Sequence, residues 1–111
     1  MDAPATQTRR ENYGKVLNIL QEGKLSGEVN TFEDGKIEIL IEWGDWKHEH
    51  GYLKYLMKKN GFLLIDEQVT EEDGSDCYSA VHTYMSLTDF IKTKKQQFYN
   101  NNNNFTKVMG A

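Results

Sequence analysis

The stretch Lys36-Ile37-Glu38-Ile39-Leu40-Ile41-Glu42-Trp43 decides the fold. Ile37, Ile39, Ile41 and Trp43 alternate with Glu38 and Glu42, the period of a strand with one buried face. Glu33-Asp34-Gly35 stands just before it, and Leu25 to Phe32 before that. Asp-Gly between two such segments specifies a hairpin, because glycine supplies the positive φ that tight turns need.

The same arrangement recurs further on. Phe62 to Thr70 is rich in Leu, Ile and Val, Glu71-Glu72-Asp73-Gly74-Ser75 turns the chain, and Asp76 to Met85 returns. Between the hairpins, Asp45 is placed as the N-cap of a helix running to Asn60, with Gly61 ending it. Ahead of the first hairpin, Tyr13, Val16, Leu17 and Leu20 fall at i, i+3, i+4 and i+7 from about Arg9 to Glu22, before the stop at Gly23. After the second hairpin, Ser86 caps a third helix over 87–99, with Asp89 at the capping-box position. The order α-ββ-α-ββ-α predicts an α+β fold with a four-stranded, mainly antiparallel sheet and helices packed on it. Residues 1–8 are expected as a flexible arm, 9–99 as a single α+β domain and 100–111 as an Asn-rich tail.

A shift of 39 residues lays the second αββ unit (45–85) on the first (9–43). Tyr13, Lys15, Leu17, Leu25, Glu28, Thr31, Glu33, Asp34 and Gly35 then meet identical residues, nine in 23 positions. Self-similarity at a fixed period is the signature of internal duplication. Leu20 falling on Lys59 and the general liking of hairpins for Asp-Gly speak for coincidence. The expected core is Val16, Leu17, Leu20, Ile39, Leu53, Leu56, Leu64 and Val81.

Composition excludes several classes. With 38% apolar and 27% charged residues over 111 positions, the chain has room for one modest core. A net charge of −4 is the wrong sign for a dedicated nucleic-acid binder. A single cysteine, Cys77, forms no intramolecular disulfide and no multi-cysteine zinc site. Met1 to Arg10 lacks an apolar core segment, and no apolar run approaches the ~20 residues of a membrane span, so a cytoplasmic protein without a membrane partner is expected. Walker, Gly-x-Gly-x-x-Gly, Gly-x-Ser-x-Gly and Cys-x-x-Cys motifs do not occur, which weighs against an enzyme.

Three segments carry candidate chemistry. His48-Glu49-His50 suggests a metal, but on an α-helix the two imidazoles point about 200° apart, and no metal or cofactor is assigned. On a single strand Cys77 and His82 lie on opposite faces; Cys77 is expected on the core side with Ser79, Val81, Thr83 and Met85. On a helical wheel Trp46, Leu53, Leu56 and Met57 face inward, while Lys47, His48, Lys54, Tyr55 and Lys58 face solvent.

The function expected first is a small non-catalytic domain that binds a larger protein stoichiometrically, as an inhibitor or adaptor of the kind phages and mobile elements encode. Its partner-binding residues would be Trp46, Tyr52 and Tyr55, with Lys47, Lys54, Lys58 and the acidic Glu71, Glu72 and Asp73. Tyr and Trp are the residue types that anchor interfaces. Two alternatives stay open: a nucleic-acid-binding module using Lys47, Lys54, Tyr55 and Lys58, and a metal-dependent hydrolase using Asp66, Glu67, Asp76 and a histidine.

Overall fold

A computed structural model of the chain describes residues 4–96. The expected tail at 100–111, the last residues of the third helix and the first three of the arm lie outside the described residues. The elements are α1 (Pro4–Gly23), β1 (Glu28–Thr31), β2 (Lys36–Asp45), a π-helical turn (Trp46–Gly51), α2 (Tyr52–Lys59), β3 (Phe62–Glu72), β4 (Cys77–Ser86) and α3 (residues 87–96). This is the expected α+β order. Helix α1 starts at Pro4 rather than near Arg9, since proline is tolerated in a first turn and residues 5–8 contain no helix breaker.

The four strands form one antiparallel sheet in the order β1-β2-β4-β3. Each hairpin turns on a glycine with positive φ, +95° at Gly35 and +85° at Gly74. The two hairpins meet along β2 and β4, where Ile41 faces Ala80. These residues are 39 apart, so they are the pair that a twofold relating the two halves would carry on its axis. The hairpins differ in register, however. Thr31 pairs with Ile37, whereas the last pair of the second hairpin is Glu72 with Tyr78, two residues further on than the shift requires. The offset arises at the turn, where Gly35 is the fourth residue of the loop 32–36 but Gly74 the second of 73–77, and bulges at Ile65 and Thr70 in β3 take back part of it towards the base of the hairpin.

Helices α1 and α2 cover one face. Val16, Ile19 and Leu20 of α1 and Leu53 and Met57 of α2 pack on Ile37, Ile39, Ile41, Phe62 and Tyr84. Helix α3 reaches the other face, where the Thr93 hydroxyl lies 3.9 Å from Met85 Sδ. Its expected cap is in place: Ser86 Oγ accepts the Asp89 N–H at 3.1 Å and donates to the Asp89 carboxylate at 2.9 Å.

Several expected core positions are corrected. Leu64 is 42% exposed, because β3 is an edge strand of the sheet. Leu17, Leu56 and Val81 are half-buried rather than buried. In β4 the buried face is Ala80, His82 and Tyr84, which share a side with Ile41, Ile39 and Ile37 across the register. Cys77 therefore leaves the sheet on the side away from α1 and α2.

The alternation in β2 also stops before Trp43. A bulge sets Glu42 and Trp43 against the single residue Ser79, and Trp43 takes a left-handed φ of 48°. Its N–H donates to the buried Ser79 hydroxyl at 2.8 Å and its ring is exposed. Gly44 follows because only a glycine fits there: a Cβ would lie 2.5 Å from Ile41 Cγ2.

Candidate functional site

The bulge delivers the chain to Asp45, which caps the π-helical turn. Its carboxylate accepts the Lys47 N–H at 2.9 Å and the His48 N–H at 2.7 Å, and these two bonds hold the carboxyl below its ordinary range. Glu49 reaches back to accept the Asp45 N–H at 3.2 Å. The Trp46 N–H donates to Asp76 O at 2.9 Å, tying the turn to the second hairpin. At the far end the Tyr52 N–H meets the Lys47 carbonyl five residues back, the wide spacing of a π-turn.

That wider spacing changes which side chains face inward. Trp46, expected inward, is 54% exposed, and His50 is buried instead. The α-helical wheel resumes correctly at Leu53 and Met57, both buried, with Tyr55 outside.

Trp46, Lys47, Tyr52 and Lys54 line one groove of about 890 Å³ between the π-turn and the end of α1. Lys24 and Leu25 line it just beyond the end of α1, and Tyr78 lines it from β4. Tyr55 lies beside the groove, its ring nearly parallel to that of Tyr52 at 6.3 Å between centroids. Lys58 is exposed in the last turn of α2, away from the groove lining. Glu71, Glu72 and Asp73 are exposed at the hairpin tip, and Glu72 is the direct cross-strand partner of Tyr78. Glu72 thus stands next to a residue of the groove, while Glu71, paired with Ser79, lies on the other face of the sheet. The sequence does not single out Lys24, Leu25 or Tyr78 here. Lys24 and Leu25 follow a helix stop, which marks a turn but not what the turn faces.

Beneath the groove lies a buried polar column. The rings of Tyr78, His50, His82 and Tyr84 succeed one another nearly parallel: His50 is 4.0 Å from Tyr78 and 5.0 Å from His82, and Tyr84 is 6.1 Å beyond His82. His50 Nε2 lies 2.8 Å from the Tyr78 carbonyl, which only accepts, so this nitrogen carries a proton. In neutral His50, Nδ1 is then an acceptor, and His82 Nε2 at 2.8 Å must donate to it. His82 Nδ1 is left to accept from the Tyr84 hydroxyl at 3.4 Å. The hydrogen bonds run one way, from Tyr84 through both histidines to a backbone carbonyl.

Burial pushes the His82 pKa down to about 4, against the pull of Glu67, so it is neutral at pH 7. Burial also raises the Tyr84 and Tyr78 hydroxyls. Glu67 Oε2 lies 4.0 Å from His82 Nε2 and accepts from the Tyr78 hydroxyl at 3.4 Å. Its other oxygen is paired with Lys54. Burial alone would raise the Glu67 carboxyl, but the Lys54 hydrogen bond and the neighbouring positive charge outweigh it and hold it low. Of the residues considered for a hydrolase, Glu67 joins two histidines. Asp66 pairs with Thr83 on the opposite face, and Asp76 is exposed.

No protein-family model, curated protein or solved structure matches the chain. Among the described residues no helix is long and apolar enough to cross a membrane.

Proposed function

We propose that the chain is a protein-binding domain acting by stoichiometric binding, as an inhibitor or adaptor, through the groove between the π-turn and α1. The observation that carries this is the exposure of Trp46, at 54%, on a turn fixed at both ends by hydrogen bonds. A large ring with only two side-chain torsions, on a backbone already fixed, loses little conformational entropy on binding, the property that makes Trp and Tyr interface anchors. Tyr52 and Tyr55 extend the same surface.

The charges around the groove favour a protein over a nucleic acid. Lys24 and Lys47 border it from the end of α1 and from the π-turn, but Lys54 is engaged by Glu67, and the hairpin tip, with Glu72 beside Tyr78, is adjacent. A phosphate backbone would meet that acidic tip, whereas a protein surface supplies both signs of charge at once. The partner therefore inserts an apolar side chain between acidic residues facing the lysines and basic ones facing the tip. A cytoplasmic setting belongs to this reading and rests on the single unpaired cysteine. Binding of the recovered partner, measured at two salt concentrations, tests it. A protein complex centred on Trp46 changes little with salt; a steep fall with salt supports the nucleic-acid alternative instead.

A further inference from the structure

We propose that His50, Glu67 and His82 form a binding site for a divalent transition ion of the zinc type, independent of the groove. The three residues come from the π-turn, β3 and β4, and one ligand atom from each lies within 4.8 Å of the others. Two imidazoles and a carboxylate are the donor set such ions take, whereas magnesium and calcium prefer oxygen alone.

The outward atoms of the three residues make the case stronger than proximity does. His50 donates Nε2–H to the Tyr78 carbonyl, His82 Nδ1 meets the Tyr84 hydroxyl, and Glu67 Oε1 is paired with Lys54. Each ligand is therefore held from behind by a partner of its own, the arrangement that orients metal ligands. The atoms facing one another are His50 Nδ1, His82 Nε2 and Glu67 Oε2, the last also accepting from the Tyr78 hydroxyl at 3.4 Å, a bond that the ion replaces.

Two nitrogens bound at about 2.0–2.1 Å to a tetrahedral ion stand roughly 3.3 Å apart. His50 Nδ1 and His82 Nε2 are 2.8 Å apart, so the rings must separate by a few tenths of an ångström, while Glu67, at 4.0 Å, must move in. The proton between the histidines has somewhere to go. His82 exchanges Nε2–H for Nδ1–H, and the Tyr84 hydroxyl turns from donor to acceptor, leaving the number of protons on the two rings unchanged. Both histidines are fully buried and Glu67 keeps about a fifth of its side chain in solvent, so the ion enters past Glu67.

The test is titration of the full chain with Zn²⁺ by calorimetry in millimolar Mg²⁺, with metal content read after gel filtration. We expect one Zn²⁺ per chain, affinity weakened at least about tenfold in Glu67→Gln and about a hundredfold in His82→Gln, and no change in His48→Gln. His82→Gln alters a fully buried side chain; should circular dichroism show it unfolded, Glu67→Gln, at a partly exposed position, decides. No uptake by the folded chain overturns the proposal, and so does uptake that Glu67→Gln leaves unchanged.

Discussion

His50 Nδ1 stands 2.8 Å from His82 Nε2, joining a turn before α2 to the middle of β4 across 32 residues of sequence. Burial disfavours the charged form of His82, since an imidazolium there loses its hydration.

Acid sensitivity follows from that pair. An unfolded histidine titrates near 6.5, whereas burial puts folded His82 at about 4. Between those values the unfolded chain binds the extra proton, so stability present above pH 6.5 is lost as the pH falls towards 4. The loss is on the order of 2–3 kcal/mol, and the lowered Glu67 carboxyl adds to it below its ordinary value of 4.5. Thermal midpoints measured from pH 7.5 to 4 in the presence of a chelator check this. The His82→Gln variant flattens the slope between 6.5 and 4; an identical slope means another group is responsible.

Leu53 and Leu64 make a matched pair for testing the packing. Leu53 is fully buried against the sheet, and Leu64 is 42% exposed on the edge strand. Leu53→Ala is expected to cost about 2–5 kcal/mol and Leu64→Ala less than about 1.5. Urea denaturation of both variants gives the comparison, and equal costs would show that Leu64 is packed as fully as Leu53.

Much of the frame was legible in the sequence for local reasons. Ile37, Ile39 and Ile41 alternate, two Asp-Gly turns close the hairpins, and Ser86 with Asp89 caps α3; each signal spans a few residues. The failures arise where one residue changes the phase. The bulge at Glu42 and Trp43 breaks an alternation that otherwise runs on, and the π-turn turns Trp46, expected inward, out to solvent while burying His50. Both faces of β4 carry apolar residues, so alternation alone does not choose between Val81 and His82. Once His82 is on the core side, its partner is set by tertiary contact, which spacing within His48-Glu49-His50 does not reveal.

Gly44 tests whether the bulge and the π-turn are one unit. A methyl there meets Ile41 Cγ2 at 2.5 Å and Glu49 at 3.2 Å, between the sheet and the capping side chain of the turn. Gly44→Ala is expected to cost about 1–3 kcal/mol and to raise hydrogen exchange at Lys47 and His48, whose amides Asp45 caps. Destabilisation without faster exchange there would separate the two features.

The central claim is that a protein partner seats on the groove around Trp46, and parallel capture with wild type and Trp46→Ala tests it most directly. Trp46 is more than half exposed, so its removal leaves the core intact, and equal thermal midpoints of the two baits establish this. Each is immobilised at the same density and exposed to the same native lysate, and the retained proteins are quantified by mass spectrometry. The expected result is a partner held by the wild type and reduced at least about tenfold by Trp46→Ala, the loss of a hot-spot side chain. Tyr52→Ala should reproduce it. Identical retained proteins on all three baits would contradict the claim and place any binding surface outside this groove.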